Sequence, residues 1–171
     1  MKVILHMAVS ANGMIATIDG KEDFLSSDNW DAFAEHVDRV GNIIWGHNTY
    51  KQVITWPSKY LDSLSSAVKV IISHDNSVKL DPRFVLASSP EEAISILEKK
   101  GFSEVIVTGG STNNTEFAKR KLINEVFLTV DSVIIGEGLP LFKPEDFQLN
   151  LELIEMQKIT NKIISLRYKV I

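Results

Sequence analysis

Cysteine is absent from the 171 residues, which excludes disulfides, thiolate metal sites and cysteine nucleophiles. Arginine is scarce, with only Arg39, Arg83, Arg120 and Arg167, and the formal net charge is −4. A nucleic-acid binder normally carries a basic patch that shows in composition, so that class is not expected. No apolar run approaches the ~18 residues a membrane span needs; the longest, such as residues 70–73 and 105–107, are strand-sized. The opening Met1-Lys2-Val3-Ile4-Leu5-His6-Met7 lacks the long apolar region and cleavage site of a signal peptide and reads as a strand. The four histidines (His6, His36, His47, His74) have no ligand spacing, so no metal is expected. What is present is ordinary globular composition, 44% hydrophobic and 23% charged. These features together predict one cytoplasmic domain over residues 1–171, with a small-molecule partner and no membrane.

The periodicity predicts an α/β protein. Residues 3–9 form a nearly continuous apolar run, the pattern of a strand covered on both faces. Residues 10–27 are irregular and contain Gly13 and Gly20; a connection of that length is where functional loops tend to lie. From Asp28 to residue 40, Trp30, Phe33, Val37 and Val40 are spaced for one helix face. Strands are expected at residues 42–45, 68–73, 83–87, 104–108 and 125–130, and helical segments at 49–54, 90–100 and 115–121. The second of these begins after a serine at 89, with Pro90 and two acids in its first turn and Gly101 beyond it. Residues 149–158 and 162–171 alternate as a terminal antiparallel pair turning at Thr160-Asn161. The sum is a mainly parallel central sheet with a C-terminal antiparallel hairpin.

Three places carry candidate chemistry. Val105-Ile106-Val107-Thr108-Gly109-Gly110-Ser111-Thr112 runs a buried strand into two glycines and a helix start, which bares backbone N–H groups for an anion or a close-packed ring. A tight strand-to-helix turn explains the glycines equally well. Trp45-Gly46-His47-Asn48-Thr49-Tyr50 repeats the design, with Asn48 or Thr49 as a helix cap and His47 free to meet a ligand. Two such turns at strand carboxyl ends point to a ligand along that edge of an open sheet. Asp28 opens a helix beside Trp30 and Phe33. Either it caps the helix with Asp31, or its carboxyl faces a cleft, where desolvation would make it a proton partner for a nitrogen heterocycle. His36 and His74 read as surface residues.

In order and spacing, these pieces resemble the dihydrofolate reductase superfamily, particularly the branch related to the reductase domain of riboflavin biosynthesis (RibD C-terminal domain-like). The matching text is Met7-Ala8-Val9-Ser10-Ala11-Asn12-Gly13-Met14-Ile15-Ala16, then residues 42–50, Val107-Thr108-Gly109-Gly110, residues 126–130, and Gly136-Glu137-Gly138-Leu139-Pro140-Leu141-Phe142. The resemblance implies a three-layer dihydrofolate-reductase-like fold that binds NADPH. It places Ala8, Ile15, Gly46, His47, Asn48, Thr49, Ser73 and His74 against the cofactor. Thr108, Gly109, Gly110, Ser111 and Thr112 join them, with a cis peptide often present at the paired glycines. On the substrate side it implies Asp28 and Thr129 as the catalytic pair, with His6, Met7, Trp30 and Phe33 lining the pocket and residues 10–27 as a lid. Ala67 stands where a folate-tail arginine is usual, with Lys69 the nearest cation, and Asn114 stands where an aromatic is common. The first expectation is reduction of a pterin, 7,8-dihydrofolate to tetrahydrofolate. The alternatives are the ribosylaminopyrimidine 5′-phosphate reductase of the riboflavin pathway and a non-catalytic NADP-binding module. A monomer fits the first and a homodimer the second.

Overall fold

The computed structural model describes residues 1–75 and 77–171. Its ten strands are β1 (Lys2–Ser10), β2 (Met14–Thr17), β3 (Asn42–Gly46), β4 (Val68–Ile72), β5 (Phe84–Ala87), β6 (Glu104–Val107), β7 (Glu125–Asp131), β8 (Gly138–Pro140), β9 (Leu151–Lys158) and β10 (Ile163–Val170). The helices are α1 (Ser27–Val40), α2 (His47–Val53), α3 (Ser58–Asp62), α4 (Pro90–Lys99) and α5 (Ser111–Lys119). Eight strands form one sheet in the order β5-β4-β3-β6-β1-β7-β10-β9. The first six run parallel, and β10 is antiparallel to both of its neighbours. This is the α/β architecture expected, a parallel sheet finished by an antiparallel hairpin.

The central strands are apolar on both faces because each face is covered. On one side α4 and α5 bring Ala93, Leu97, Phe117 and Ala118 onto Val3, Leu5, Val70 and Val105. On the other, α1, α2 and α3 pack Val37, Tyr50, Val53 and Leu61 against Ile43, Trp45, Ile71 and Ile106. Most of these side chains are essentially sealed from solvent, and each of the valines, leucines, isoleucines and Phe117 contributes roughly 1.5–3 kcal/mol on burial. The helix α4 starts as expected: the Ser89 hydroxyl accepts from the Glu92 amide at 3.2 Å, with Pro90 in the first turn.

Three elements depart from the expectation. The segment 10–27 is not wholly irregular, since β2 lies within it and pairs with β8 as a separate two-stranded sheet. Gly138 permits this pairing, because a Cβ there would meet the Ala16 carbonyl at 2.5 Å. Helix α5 begins at Ser111, directly after the paired glycines and four residues earlier than expected. Helix α2 begins at His47 with Gly46 as its N-cap and no side-chain cap, so neither Asn48 nor Thr49 caps it.

Candidate active site

The carboxyl ends of β1, β3, β4 and β6 open into a cleft of about 1120 Å³, walled on the far side by α1 and the segment 22–27. Pockets for a single drug-sized ligand run from roughly 300 to 1,000 Å³, so this one lies at the large end of that range. Among the described residues no helix is long and apolar enough to cross a membrane.

One end is built from backbone. Gly109 and Gly110 are joined by a cis peptide, and Gly109 has φ +68°, a region that favours glycine. Two buried asparagines hold this turn. The Asn114 carbonyl oxygen accepts from the Gly109 amide at 3.1 Å, while its amide donates to the Leu141 carbonyl at 2.9 Å. The Asn113 amide donates to the Gly109 carbonyl at 3.2 Å. That carbonyl also accepts from the Gly46 amide at 3.0 Å, which ties the two strand-end turns together. Asn114 therefore has a clear job where an aromatic is common: it clamps the glycine pair. The first amides of α5 lack helical acceptors and face this end, a ready site for an anion. Gly46, His47, Asn48 and Thr49 from the β3–α2 turn line the same region, as do Ser73 and His74 beyond β4 and Thr108 to Thr112. The His47 ring lies 3.5 Å from the Ser73 hydroxyl. Partial desolvation, with Lys51 nearby, lowers the His47 pKa, while Asp75 opposes the shift.

The other end is built from side chains. His6, Met7 and Ala8 of β1, Thr129 of β7, Ile15 of β2, and Trp30 and Phe33 of α1 all line it. Trp30 sits in an aromatic group with Trp56 and Tyr60, at ring-centroid distances of 6.0 and 4.8 Å. Such a group offers faces on which a planar heterocycle can stack.

Asp28 is the exception. It sits in the first turn of α1, exposed and outside the cavity wall. Asp28, Asp31, Glu35 and Asp38 are all exposed and mark one acidic stripe of the helix. A carboxylate early in a helix interacts favourably with the helix dipole, so the solvent-facing position is a comfortable one. The cleft expectation for Asp28 is thus corrected: Asn29 lines the cavity in its place and is only 3% exposed. Its amide donates to the carboxylate of Asp131, itself buried, and its carbonyl oxygen has no partner. Burial raises the Asp131 pKa, and the bond from Asn29 opposes that rise.

Further residues reach the site unannounced. Glu22 lines the cavity from the β2–α1 segment, and desolvation pushes its carboxyl up to about 7. Trp56, Tyr60 and Asn113 were equally unexpected, and Lys143 is the only lysine or arginine among the described lining residues. Lys69 does not reach the cavity. It is buried, and its ammonium donates to the Ala67 carbonyl at 2.9 Å, so it offers nothing to a folate tail. His36 is not a surface residue either: it is half-buried, with its ring 4.9 Å from that of His6.

A parallel sheet whose strand ends meet a glycine cradle and a second, aromatic-walled compartment defines the dihydrofolate-reductase-like class of fold. The neutral donors and bare backbone at the glycine end suit a dinucleotide. Within that class the chain belongs to the RibD C-terminal domain family, whose model matches residues 1–165. This is a reductase-type family, and RibD reductase domains use NADPH.

Relatives in Bacillus subtilis (strain 168) include the uncharacterized protein YwjB, 29% identical over 146 residues and covering 82% of each chain. The uncharacterized protein YyaP of the same organism is 21% identical, covering 98% of this chain and 94% of its own length. Among solved structures, a candidate riboflavin biosynthesis protein of Shewanella sp. PV-4 superposes with a TM-score of 0.79 at 25% identity, covering 100% of this chain and 99% of that one. Acinetobacter baumannii RibD gives a TM-score of 0.80 at 16% identity, covering 99% of this chain but 58% of its own.

Proposed function

We propose that this chain is an NADPH-dependent reductase of a planar aminopyrimidine, of the ribosylaminopyrimidine 5′-phosphate type used in riboflavin biosynthesis. One observation carries the reading: the residue facing the cleft at the head of α1 is the neutral Asn29, not the carboxylate Asp28. A pterin reductase gains from a carboxylate that pairs with the 2-amino edge and favours protonation of the ring. With Asp28 in solvent, the dihydrofolate reading loses its acid; with Lys69 buried, it also loses its tail cation. With one N–H of its NH₂ on Asp131, the Asn29 amide keeps its second N–H and an unpartnered carbonyl oxygen, a neutral donor and acceptor suited to the edge of a neutral pyrimidine. Membership of the RibD C-terminal domain family supports the same substrate class.

When bound, NADPH supplies the hydride. The chain's own contribution is to hold two ligands in line. Gly109, Gly110 and the α5 amides receive the diphosphate region, with His47, Asn48, Thr49, Ser73 and His74 along the rest of the cofactor. Ala8 and Ile15 shape the nicotinamide end. Trp30, Trp56 and Tyr60 stack the pyrimidine while Asn29 and Thr129 bond its edge. The segment 22–26 excludes water from above.

The test is NADPH oxidation by the purified protein with the ribosylaminopyrimidine 5′-phosphate, with dihydrofolate, with NADH and with no substrate. Turnover is expected with the pyrimidine and NADPH. Strong turnover with dihydrofolate that collapses in Asp28→Asn would restore the pterin reading.

A further inference from the structure

The aromatic end of the cleft has lost its expected acid, yet hydride reduction of a C=N or C=O bond consumes one proton for each hydride. A cleft closed against bulk water receives that proton through a side chain. Glu22 stands where one is needed. It is half-buried and lines the cleft from the segment between β2 and α1. The same residue lines a second hollow, a groove of about 510 Å³ bordered by the exposed Asp19, Lys21, Lys51 and Thr55 and so open to solvent. Glu22, Asp23, Asn48, Gln52 and Trp56 line both spaces and form the partition between them. Asn48 belongs to the glycine end and Trp56 to the aromatic end. The partition therefore stands over the junction of the two, where a hydride has to cross.

Backbone hydrogen bonds hold Glu22 in this position. The Thr17 amide donates to the Lys21 carbonyl and the Gly20 amide to the Thr17 carbonyl, both at 2.9 Å. The Gln52 side chain of α2 donates to the Gly20 carbonyl, which ties that turn to the helix. On the other side the Leu25 amide donates to the Glu22 carbonyl at 2.9 Å. The Glu22 carboxyl itself is uncommitted. Lys21, its neighbour in the chain, is paired with Asp19 at 2.6 Å. Of the charged groups around the groove (Asp19, Lys21, Asp23 and Lys51), none offsets the cost of burying the carboxylate, and desolvation alone pushes Glu22 up to about 7. Both of its forms are then present near neutral pH. The other carboxyls of the described wall are differently placed. Asp23 is exposed, Asp75 accepts from the Ser77 hydroxyl at 2.6 Å, and Glu116 is paired with Arg120 at 3.0 Å.

We infer that Glu22 is the proton donor of the reduction, carrying protons from the solvent-open groove to the substrate in the cleft. As hydride adds to the substrate carbon, the π pair moves onto its nitrogen or oxygen. That atom takes the carboxyl proton, and the O–H bonding pair stays on Glu22 as carboxylate. Solvent in the groove then returns a proton to the carboxylate. One solvent proton is consumed per hydride, and Glu22 ends as it began.

The inference rests on the reductase reading, and the experiment separates the two. Wild-type protein that oxidises no NADPH with any substrate offered would sink that reading, and the donor with it. Given an active wild type, Glu22→Gln keeps the shape of the side chain but removes the acid. Its single-turnover hydride step is expected to slow by about a hundredfold, the scale of lost general acid catalysis, with NADPH affinity unchanged. The wild-type step should slow by about tenfold per pH unit above about 7, as the acid form is lost. Glu22→Gln should lose that dependence, and Glu22→Asp should restore it. Infrared titration of the ligand-free protein should show a carboxylic-acid band that fades as pH rises through about 7 and is missing in Glu22→Gln. A wild-type hydride rate in folded Glu22→Gln, the same pH profile in both proteins, or a wild type without that band would overturn the donor.

Discussion

The two ends of the cleft are made of different material. At the glycine end, the wall is backbone: two strand-end turns are locked by Asn113, Asn114 and the Gly46–Gly109 hydrogen bond. At the aromatic end, side chains from β1, β7 and α1 converge, and the rotation of α1 decides which of them arrive. A backbone site depends on local chain geometry and tolerates changes in its surroundings. A side-chain site depends on helix phase, where one residue step is a turn of about 100°, so neighbours such as Asp28 and Asn29 have opposite fates.

Breaking the backbone end should have the largest effect. Gly109→Val puts a branched side chain at φ +68°, and its Cβ would already touch Met7 and Thr49 at 3.6 and 3.5 Å. NADPH affinity is expected to fall by about a hundredfold or more. Gly110 has φ −82° and meets only Thr49 at 3.4 Å, so Gly110→Ala should cost far less. Equal losses in calorimetric titrations of the two variants would undo the distinction.

The helix-phase contrast is sharpened by paired variants of neighbours. Asn29→Leu deletes a buried amide and strands the Asp131 carboxylate, so kcat/KM should drop by roughly ten- to a hundredfold. Asp28→Asn, on the exposed stripe, should stay within about twofold. The reverse ranking in steady-state assays would mean that α1 is rotated.

A smaller effect concerns pH. The folded Glu22 carboxyl titrates at about 7 against an ordinary value of 4.5. The native state thus binds more protons than the unfolded chain between those values, and this group's contribution to stability falls as pH rises through them. Glu22→Gln should therefore raise Tm at pH 8 and leave it unchanged near pH 4. His36 works in the opposite sense, because its folded value of about 4 lies below 6.5 and its contribution is lost as pH falls through that window. Melting curves for Glu22→Gln that differ from wild type by the same amount at both pH values would refute the desolvated carboxyl. Smallest of all, Lys69→Met removes a buried ammonium remote from the cleft. It should leave kcat/KM within about twofold; a tenfold loss would bring Lys69 into the site.

The strand and helix order was legible because apolar runs and spacing are local facts. The same holds for the glycine turns, where Thr108-Gly109-Gly110-Ser111 announces a bare strand end whatever surrounds it. Even the fate of Asp28 was written in the chain: Asp28, Asp31, Glu35 and Asp38 repeat at helical spacing, and Asn29 shares the opposite stripe with Phe33 and His36. That stripe was outweighed by the resemblance, which put an acid in the cleft. The β2–β8 pairing was hidden because its halves are short and more than a hundred residues apart.

By itself, then, the sequence determined the layered α/β architecture and the glycine end of the cleft, since both follow from periodicity and from glycine's freedom of backbone. Only the tertiary structure decided which distant side chains meet at the other end, Asn29 with Asp131 and His6 with His36. Those pairings join residues 30 and 102 positions apart. They exist only once β1, β7 and α1 have packed, and no local pattern encodes which residues of distant elements become partners.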